Sequence, residues 1–169
     1  MQLHKPQAAI FDMDGTLCDV RSIRYFVTEN PKHRNFHKFH NASIDCPAHP
    51  KVVQLYKHLQ QQGLATIIVT ARTSNFSFLT NLWLQEQGLT HSGLFMRARK
   101  DSRPDHDIKK DLLAEICKRF TPVLAVDDRP QIAEIWQNNG IFTVLVSEEG
   151  ELSYAVPENE ISPVLSDYL

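Results

Sequence analysis

The chain has 169 residues, 42% hydrophobic and 22% charged, with a formal net charge of −2 at pH 7, as is ordinary for a soluble globular protein of one domain, with or without a modest insertion. No apolar run reaches the roughly 18 residues that span a bilayer, and the first residues lack the apolar core of a signal peptide. Three widely spaced cysteines (Cys18, Cys46 and Cys117) form no disulfide framework, so we expect a cytoplasmic protein.

Charge is distributed unevenly along the chain. Residues 1–129 contain all 18 Lys and Arg residues against 13 acidic ones, whereas residues 130–169 contain seven acidic residues and no Lys or Arg. The first part is suited to attract an anionic substrate, which the second part would repel. On charge alone, a mixed surface without a specific role remains the simpler interpretation.

Short apolar runs rich in branched residues alternate with helical patterns along the chain. The predicted strands are Ala8–Phe11, Ala65–Thr70, Gly93–Met96, Val123–Val126 and Ile141–Val146. The predicted helices are Pro50–Gln62, Phe76–Gln87, Ile108–Phe120 and Pro130–Asn139. Continuous apolar strands separated by helices predict a parallel sheet covered on both faces, that is, a Rossmann-like three-layer α/β/α sandwich.

Two segments interrupt this alternation. Residues 20–49 are polar, aromatic and basic, and we interpret them as a small cap-like insertion after the first strand. Residues 148–169 are acidic and contain proline, which predicts a loosely packed tail after a domain of residues 1–147. The sequence contains no G-x-x-x-x-G-K-[ST] phosphate loop, so we expect no kinase module of that type in it.

Chemically active side chains follow the ends of the predicted strands. They are Asp12, Asp14, Thr70, Arg72, Asp127 and Asp128, together with a lysine near the start of the third predicted helix. In parallel α/β sheets, ligands bind at the carboxyl ends of the strands, so these groups converge on one edge.

Clustered carboxylates repel one another unless a divalent cation holds them, and hard oxygen ligands select Mg²⁺. A carboxylate can attack phosphorus to form an acyl phosphate, which divides hydrolysis into two steps. A second carboxyl group can protonate the leaving alcohol and then deprotonate water, if its neighbours raise its pKa. A hydroxyl group, a lysine and the metal would stabilise the charge on the phosphoryl oxygens.

The run FDMDGT after a strand, a strand-terminal threonine, a lysine opening a later helix and a strand-terminal DD pair resemble the haloacid-dehalogenase-like (HAD) phosphatases. The resemblance implies that Asp12 is the nucleophile and Asp14 the general acid and base, whose backbone carbonyl also reaches Mg²⁺. It implies that Asp127 binds Mg²⁺ and that Asp128 is a second, indirect ligand. It further implies that Thr70 and the lysine hold the phosphoryl group.

The lysine is either Lys109 or Lys110. The apolar residues of the helix after Asp107 are Ile108, Leu112, Leu113, Ile116 and Phe120. At about 100° per residue, Lys109 lies near the centre of this apolar stripe, whereas Lys110 points toward solvent. We therefore predict that Lys109 reaches the edge of the sheet.

Three segments show a narrower resemblance. Thr70–Arg72, Met96–Lys109 and Val126–Trp136 are similar to the 3′-phosphatase domain of bacteriophage polynucleotide kinase/phosphatase and to its stand-alone relatives, over roughly residues 7–146. This resemblance implies that Arg72 binds or orients the phosphate and that the substrate is a 3′-phosphate end of DNA or RNA.

The insertion contains the run PKHRNFHKFHN, in which Lys32, Arg34 and Lys38 alternate with Phe36 and Phe39. Basic groups bind phosphates and aromatic faces stack bases, which suits a single-stranded end. Equally, the two phenylalanines would pack the insertion onto the domain while the charges stay in water.

A zinc site is a further interpretation of the insertion. His37 and His40, followed by Cys46 and His49, have a spacing that zinc can use. The pattern is uneven, and with eight histidines in the chain chance pairs are common.

Two classes of function fit the sequence. The first is a Mg²⁺-dependent phosphomonoesterase acting on 3′-phosphate polynucleotide ends, with a free nucleotide or another small phosphate ester as the alternative substrate. The second is a non-catalytic binding module on the same scaffold, which the presence of both Asp12 and Asp14 disfavours. Because Asp14 must act first as an acid and then as a base, we expect activity to peak at acidic to neutral pH.

Overall fold

The computed structural model describes residues 4–29 and 31–154, which form a sheet of six strands between two layers of helices. The strands are β1 (Gln7–Phe11), β2 (Ala65–Thr73), β3 (Gly93–Arg97), β4 (Thr121–Asp127), β5 (Phe142–Val146) and β6 (Leu152–Tyr154). Their order is β3-β2-β1-β4-β5-β6, and every neighbouring pair is parallel except β5 and β6, which are antiparallel.

Four long helices connect the parallel strands, and two short ones lie in the insertion. They are α1 (Tyr25–Thr28), α2 (Phe36–Ala42), α3 (Pro50–Gln61), α4 (Ser77–Glu86), α5 (Asp105–Arg119) and α6 (Pro130–Asn138). Each of the five predicted strands and four predicted helices is present, with ends that coincide or differ by at most three residues. The three-layer α/β/α fold with a mostly parallel sheet is therefore confirmed.

The two faces of the sheet carry separate hydrophobic cores. In β1, Ala9 and Phe11 face α3 and α4, whereas Ala8 and Ile10 face α5 and α6. Successive side chains of a strand point to opposite faces, and both faces of this strand are covered by helices. The strand therefore reads as a continuous apolar run rather than an alternating one.

The strand order changes direction at β1, which lies in the middle of the sheet. The strands β2 and β3 lie on one side of β1, and β4 and β5 lie on the other. The backbone N–H of Asp12 donates to the carbonyl of Val126 at 3.0 Å, so the carboxyl ends of β1 and β4 are held side by side. A crevice at such a reversal point is where open α/β sheets bind ligands.

The insertion of residues 20–49 leaves and re-enters the fold at a single place. The N–H of Asp19 donates to the carbonyl of Pro47 at 2.8 Å, and the N–H of His49 donates to that of Leu17 at 2.9 Å. Val20, Ile23 and Phe39 pack into the core that faces α3 and α4. The sequence pattern indicated an insertion here but did not predict α1 and α2.

One further difference concerns the segment that begins at residue 148. Leu152–Tyr154 forms β6 against β5, which the acidic composition of this segment did not predict. The rest of the predicted tail, residues 155–169, lies outside the described residues. No helix in the described part of the chain is long and apolar enough to cross a membrane.

Candidate active site

The loop after β1 places two carboxylates beside the crevice. Asp12 is 5% exposed, and Asp14 follows in a loop closed by the Gly15 N–H donating to the carbonyl of Cys18 at 2.9 Å. Gly15 has a φ of +85°, and a Cβ atom there would overlap with Oδ2 of Asp128. Only glycine combines this backbone conformation with so close an approach of a second carboxylate.

Lys109 joins the carboxylates of the two central strands. Its Nζ donates to Asp12 Oδ1 at 2.5 Å and to Asp127 Oδ2 at 3.1 Å, and the side chain is fully buried. The carbonyl of Val69, in β2, accepts from the same Nζ at 3.2 Å. Lys110 is exposed, so the structure places Lys109, as predicted, and not Lys110 beside Asp12.

Three carboxylates converge on one point. Asp12, Asp127 and Asp128 each offer an oxygen within 4.8 Å of the others. Burial, opposed by Lys109 and reinforced by Asp127, raises the pKa of Asp12 to about 6. Burial and repulsion by Asp12 and Asp127 raise the pKa of Asp128 to about 7. A divalent cation would relieve this repulsion, and the hard oxygen donors of the cluster fit Mg²⁺.

Neighbouring groups fix the orientation of these carboxylates. The backbone N–H of Arg129 donates to Asp127 Oδ1 at 3.1 Å, and Nε1 of Trp136 donates to Oδ2 at 3.4 Å. The Thr16 hydroxyl donates to Asp12 Oδ2 at 3.3 Å and lies 3.5 Å from Asp128. Thr16 is thus a site residue that the sequence reasoning did not single out, although it belongs to the FDMDGT run.

Asp14 is paired with a buried arginine. Arg72 Nε donates to Asp14 Oδ2 at 2.8 Å and Nη2 donates to Oδ1, so the two planar groups meet in a bidentate pair. Burial alone would raise the pKa of Asp14, but the charge and hydrogen bonds of Arg72 outweigh it and hold that pKa below its usual value. The expectation that neighbours raise the pKa of Asp14 is therefore wrong for the protein without ligands.

Thr70 and Arg72 come from the end of β2, on the side of the crevice next to Asp14. The Thr70 hydroxyl accepts from the Arg72 N–H at 3.2 Å, and Arg72 Nη1 donates to the hydroxyl of Thr80 at 3.2 Å. Both Thr70 and Arg72 are 1% exposed and both line the cavity in front of the carboxylates. All seven sequence-predicted site residues are thus in one place.

A cavity of about 760 Å³ opens in front of this cluster. Its further cationic lining consists of Arg24, Arg97, Arg99, Arg103 and Arg129. Asp105 accepts from Arg129 Nη1 at 2.5 Å and also from Arg97, which ties the ends of β3 and β4 together. No role was assigned from the sequence to Arg24, Arg97 or Asp105, because only the fold brings these separated residues to the same edge, whereas Arg129 directly follows the strand-terminal DD pair.

Arg24 is the cation that the insertion contributes. Its Nη2 lies 3.4 Å from the position that a Cβ of Gly15 would occupy, and its Nε is buried without a hydrogen-bond partner among the described residues. A buried, unpaired guanidinium nitrogen beside the carboxylate loop is a donor available to a bound anion.

The insertion also brings His40 to the site. His40 is 8% exposed, and its Nδ1 lies 3.8 Å from Oδ2 of Asp14. Burial lowers the pKa of His40 to about 4 despite the attraction of Asp14. The imidazole is therefore neutral near pH 7.

The four residues of the zinc hypothesis do not converge. His37 packs edge-on against Phe76, His40 lies beside Asp14, Cys46 lies 3.8 Å from the Ser22 hydroxyl, and His49 contacts Gly150. Within residues 4–29 and 31–154, the only three potential ligands that meet are Asp12, Asp127 and Asp128. The described structure gives no support to a zinc site in the insertion.

The sheet order and the carboxylate–lysine cluster together define a haloacid-dehalogenase-like phosphatase, a phosphoric monoester hydrolase. A family model narrows this class. The model of the polynucleotide kinase PNKP phosphatase domain matches residues 6–151, and the chain belongs to that family.

The chain is also similar to one relative and to several solved structures. A protein of Autographa californica nuclear polyhedrosis virus, described as a bifunctional polynucleotide kinase/RNA ligase, is 28% identical over 142 residues, which are 82% of this chain and 19% of the viral protein. A chain of the Pnkp1/Rnl/Hen1 RNA repair complex is 26% identical with a TM-score of 0.70, covering 85% of this chain and 43% of that one.

A more distant structure shares the fold. The class C acid phosphatase of Bacillus anthracis, solved with tungstate bound, has a TM-score of 0.63 at 13% identity over 99% of this chain and 81% of its own.

This chain spans about a fifth of the length of the viral relative and less than half of the length of the repair-complex chain.

Proposed function

We propose that this protein is a Mg²⁺-dependent phosphomonoesterase that removes 3′-phosphates from polynucleotide ends through a phosphoaspartate intermediate. The contact that carries the proposal is that of Lys109 with Asp12 and Asp127, in front of a cavity lined by arginines. Supporting it are the membership of the PNKP phosphatase-domain family and the similarity to a chain of an RNA repair complex.

Asp12 is the nucleophile in this proposal. An Oδ atom of Asp12 attacks the phosphorus, the bond to the substrate's 3′ oxygen breaks, and the phosphoryl group passes to the carboxylate. Lys109 orients that carboxylate and neutralises part of the charge on the phosphoryl oxygens. Thr70 and Arg24 are the further donors that line the cavity beside the loop.

Mg²⁺, held by Asp12, Asp127 and Asp128 with the Asp14 carbonyl, would supply positive charge to the phosphoryl oxygens. The same charge would lower the pKa of the ligating carboxylates and so favour the ionised form of Asp12.

Asp14 exchanges the protons. In the protein without ligands it is ionised, because Arg72 lowers its pKa. The second pKa of a phosphate monoester is about 6, so a substrate monoanion can bring a proton into the site. The negative charge of the bound phosphoryl group also competes for Arg72 and raises the proton affinity of Asp14. Asp14 then protonates the leaving 3′ oxygen and, in the second step, deprotonates the water that hydrolyses the phosphoaspartate.

The substrate is tested by parallel assays. We expect the purified protein with Mg²⁺ to release phosphate from a 3′-phosphorylated oligonucleotide with a higher kcat/KM than from a 5′-phosphorylated one or from 3′- and 5′-mononucleotides. Release from mononucleotides alone would leave the phosphatase intact but reject the polynucleotide substrate in favour of a nucleotidase. No release from any of them would support the non-catalytic alternative.

A further inference from the structure

The structure separates the roles of the two phenylalanines of the insertion. Phe39 is 6% exposed and packs into the core facing α3 and α4. Phe36 is 54% exposed and lines the cavity. Of the two interpretations of these aromatic residues, local packing therefore fits Phe39, whereas Phe36 remains available to a ligand.

The position of Phe36 is set by the start of α2. The side chain of Asn35 accepts from the N–H of Lys38 at 2.8 Å and caps the helix, so Phe36 is its first residue. One turn later on the same face, His40 lies with its ring centre 6.3 Å from that of Phe36. Because His40 in turn lies beside Asp14, a single imidazole ring separates Phe36 from the reacting groups.

The surroundings of Phe36 fit the organic part of a nucleotide. His40 also packs on Phe76, with ring centres 4.9 Å apart, so an aromatic surface extends from Phe36 across the cavity wall. The cavity of about 760 Å³ has a volume at the upper end of the range for small-ligand sites, about 300–1,000 Å³. It has room for a phosphate, a sugar and a base together.

We propose that Phe36 is a specificity residue whose exposed ring stacks on the base of the terminal, 3′-phosphorylated nucleotide. This inference rests on the proposed function and adds the contact that distinguishes a nucleotide end from other phosphate esters. Every base has a π face, so such stacking accepts all four bases without reading their identity. The exposed arginine Arg99, on the same cavity, is placed to meet a phosphodiester of the strand.

The test compares two 3′-phosphorylated oligonucleotides of the same length and sequence. One is complete, and in the other the terminal nucleotide keeps its sugar and 3′-phosphate but lacks its base. The measured quantity is the ratio of their kcat/KM values. Alanine substitution of a stacking aromatic residue costs about 1–3 kcal/mol per base, so we expect the protein to prefer the complete end by about five- to 150-fold. Phe36→Ala is expected to remove most of that preference, and Phe36→Trp to keep it.

Phe78→Ala is the matched control, because Phe78 is 79% exposed but does not line the cavity. It is expected to leave the ratio unchanged. Phe36→Leu keeps apolar bulk without an aromatic face, so it is expected to behave like Phe36→Ala. Melting temperatures of all variants report whether the insertion is still packed.

Two outcomes overturn the inference. The first is equal hydrolysis of both ends by the unaltered protein, and the second is an unchanged ratio in Phe36→Ala, whether or not the two rates fall together. If the protein instead cleaves p-nitrophenyl phosphate but neither oligonucleotide, the polynucleotide function itself is wrong.

Discussion

Arg72 and Asp14 form a bidentate ion pair in which the arginine side chain is completely buried and the aspartate side chain is 20% exposed. The pair joins the end of β2 to the loop after β1, two neighbouring strands of the sheet. It fixes the position of the carboxyl group proposed to move protons and favours its ionised form, because Arg72 holds the pKa of Asp14 below its usual value.

Replacing Arg72 tests how much this ion pair contributes to the free energy of unfolding. A carboxyl group whose pKa is lowered on folding contributes stability above its unfolded pKa of about 3.9, and that stability is lost as the pH falls through the folded value. We expect Arg72→Gln to lower the free energy of unfolding by about 3 kcal/mol at pH 7 and by clearly less near pH 3. Urea unfolding at both pH values measures the two differences.

Arg21→Gln is the matched control for that substitution. Arg21 donates to both oxygens of Asp19 in the same bidentate geometry, but its side chain is 50% exposed. Exposed pairs contribute little, so this variant is expected to change stability only slightly. Equal effects of the two substitutions would show that burial of the Arg72 pair adds nothing.

The pH–rate profile tests the proton transfers. Activity is expected to be highest at acidic to neutral pH. At higher pH, the proton that Asp14 donates to the leaving group is lost. In Arg72→Gln the pKa of Asp14 is expected to rise, so the alkaline limb of kcat should move to higher pH although the rate falls. A wild-type rate that increases steadily to high pH would contradict the role of Asp14.

Asp12→Asn tests the nucleophile. The amide keeps the shape of the carboxylate but cannot form a phosphoaspartate, so we expect kcat to fall by at least roughly 1,000-fold. The circular dichroism spectrum and the cooperativity of unfolding should not change. Asp45→Asn, at an exposed position in the insertion, is the control and should retain full activity. Substantial turnover by Asp12→Asn would exclude the phosphoaspartate mechanism.

The carboxylate cluster predicts a stabilising effect of Mg²⁺ that is independent of activity. Burial and mutual repulsion raise the pKa values of Asp12 and Asp128, and a cation would relieve that repulsion. At about 100 times the dissociation constant, a ligand stabilises by about 2.7 kcal/mol, which corresponds to roughly 5–10 °C in melting temperature. Differential scanning fluorimetry with EDTA and with Mg²⁺ measures the shift, which Asp127→Asn should abolish.

Gly15→Ala tests the close approach between the loop after β1 and Asp128, which follows β4. The substitution combines an unfavourable positive φ with a Cβ atom that would overlap with the Asp128 carboxylate, so activity should fall along with stability. Gly63, with a φ of +91° and open space where a Cβ atom would stand, provides the comparison. Gly63→Ala should lose stability, by about 1–2 kcal/mol, while keeping its activity.

The sequence predicts the layers of this fold because the apolar runs of the strands and the helical periodicity are local patterns. The same periodicity selects Lys109 over Lys110, since only Lys109 lies on the buried stripe of α5. The order of the strands in the sheet is not a local pattern and is not predicted. Asp12 and Asp127 could still be assigned to one site, because ligands of parallel sheets bind at the carboxyl ends of the strands.

The two short helices of the insertion and the protonation state of Asp14 could not be predicted from the sequence alone. The helices α1 and α2 have four and seven residues, too few to be stable alone, and they depend on packing against the domain. The protonation of Asp14 depends on whether Arg72 or another carboxylate is nearest, which spacing along the chain does not reveal. For the same reason, Arg24 and His40 were not recognised as neighbours of the carboxylate loop.

The hydrogen bonds that join Asp19 to Pro47 and Leu17 to His49 close the insertion on itself before either end reaches the sheet. The closed loop carries Phe36, Arg24 and His40 to the cavity, whereas the strand ends carry the carboxylates. Under the proposed function, substitutions at Phe36 would change which ends are accepted without moving Asp12, because Asp12 follows β1 and lies outside the loop.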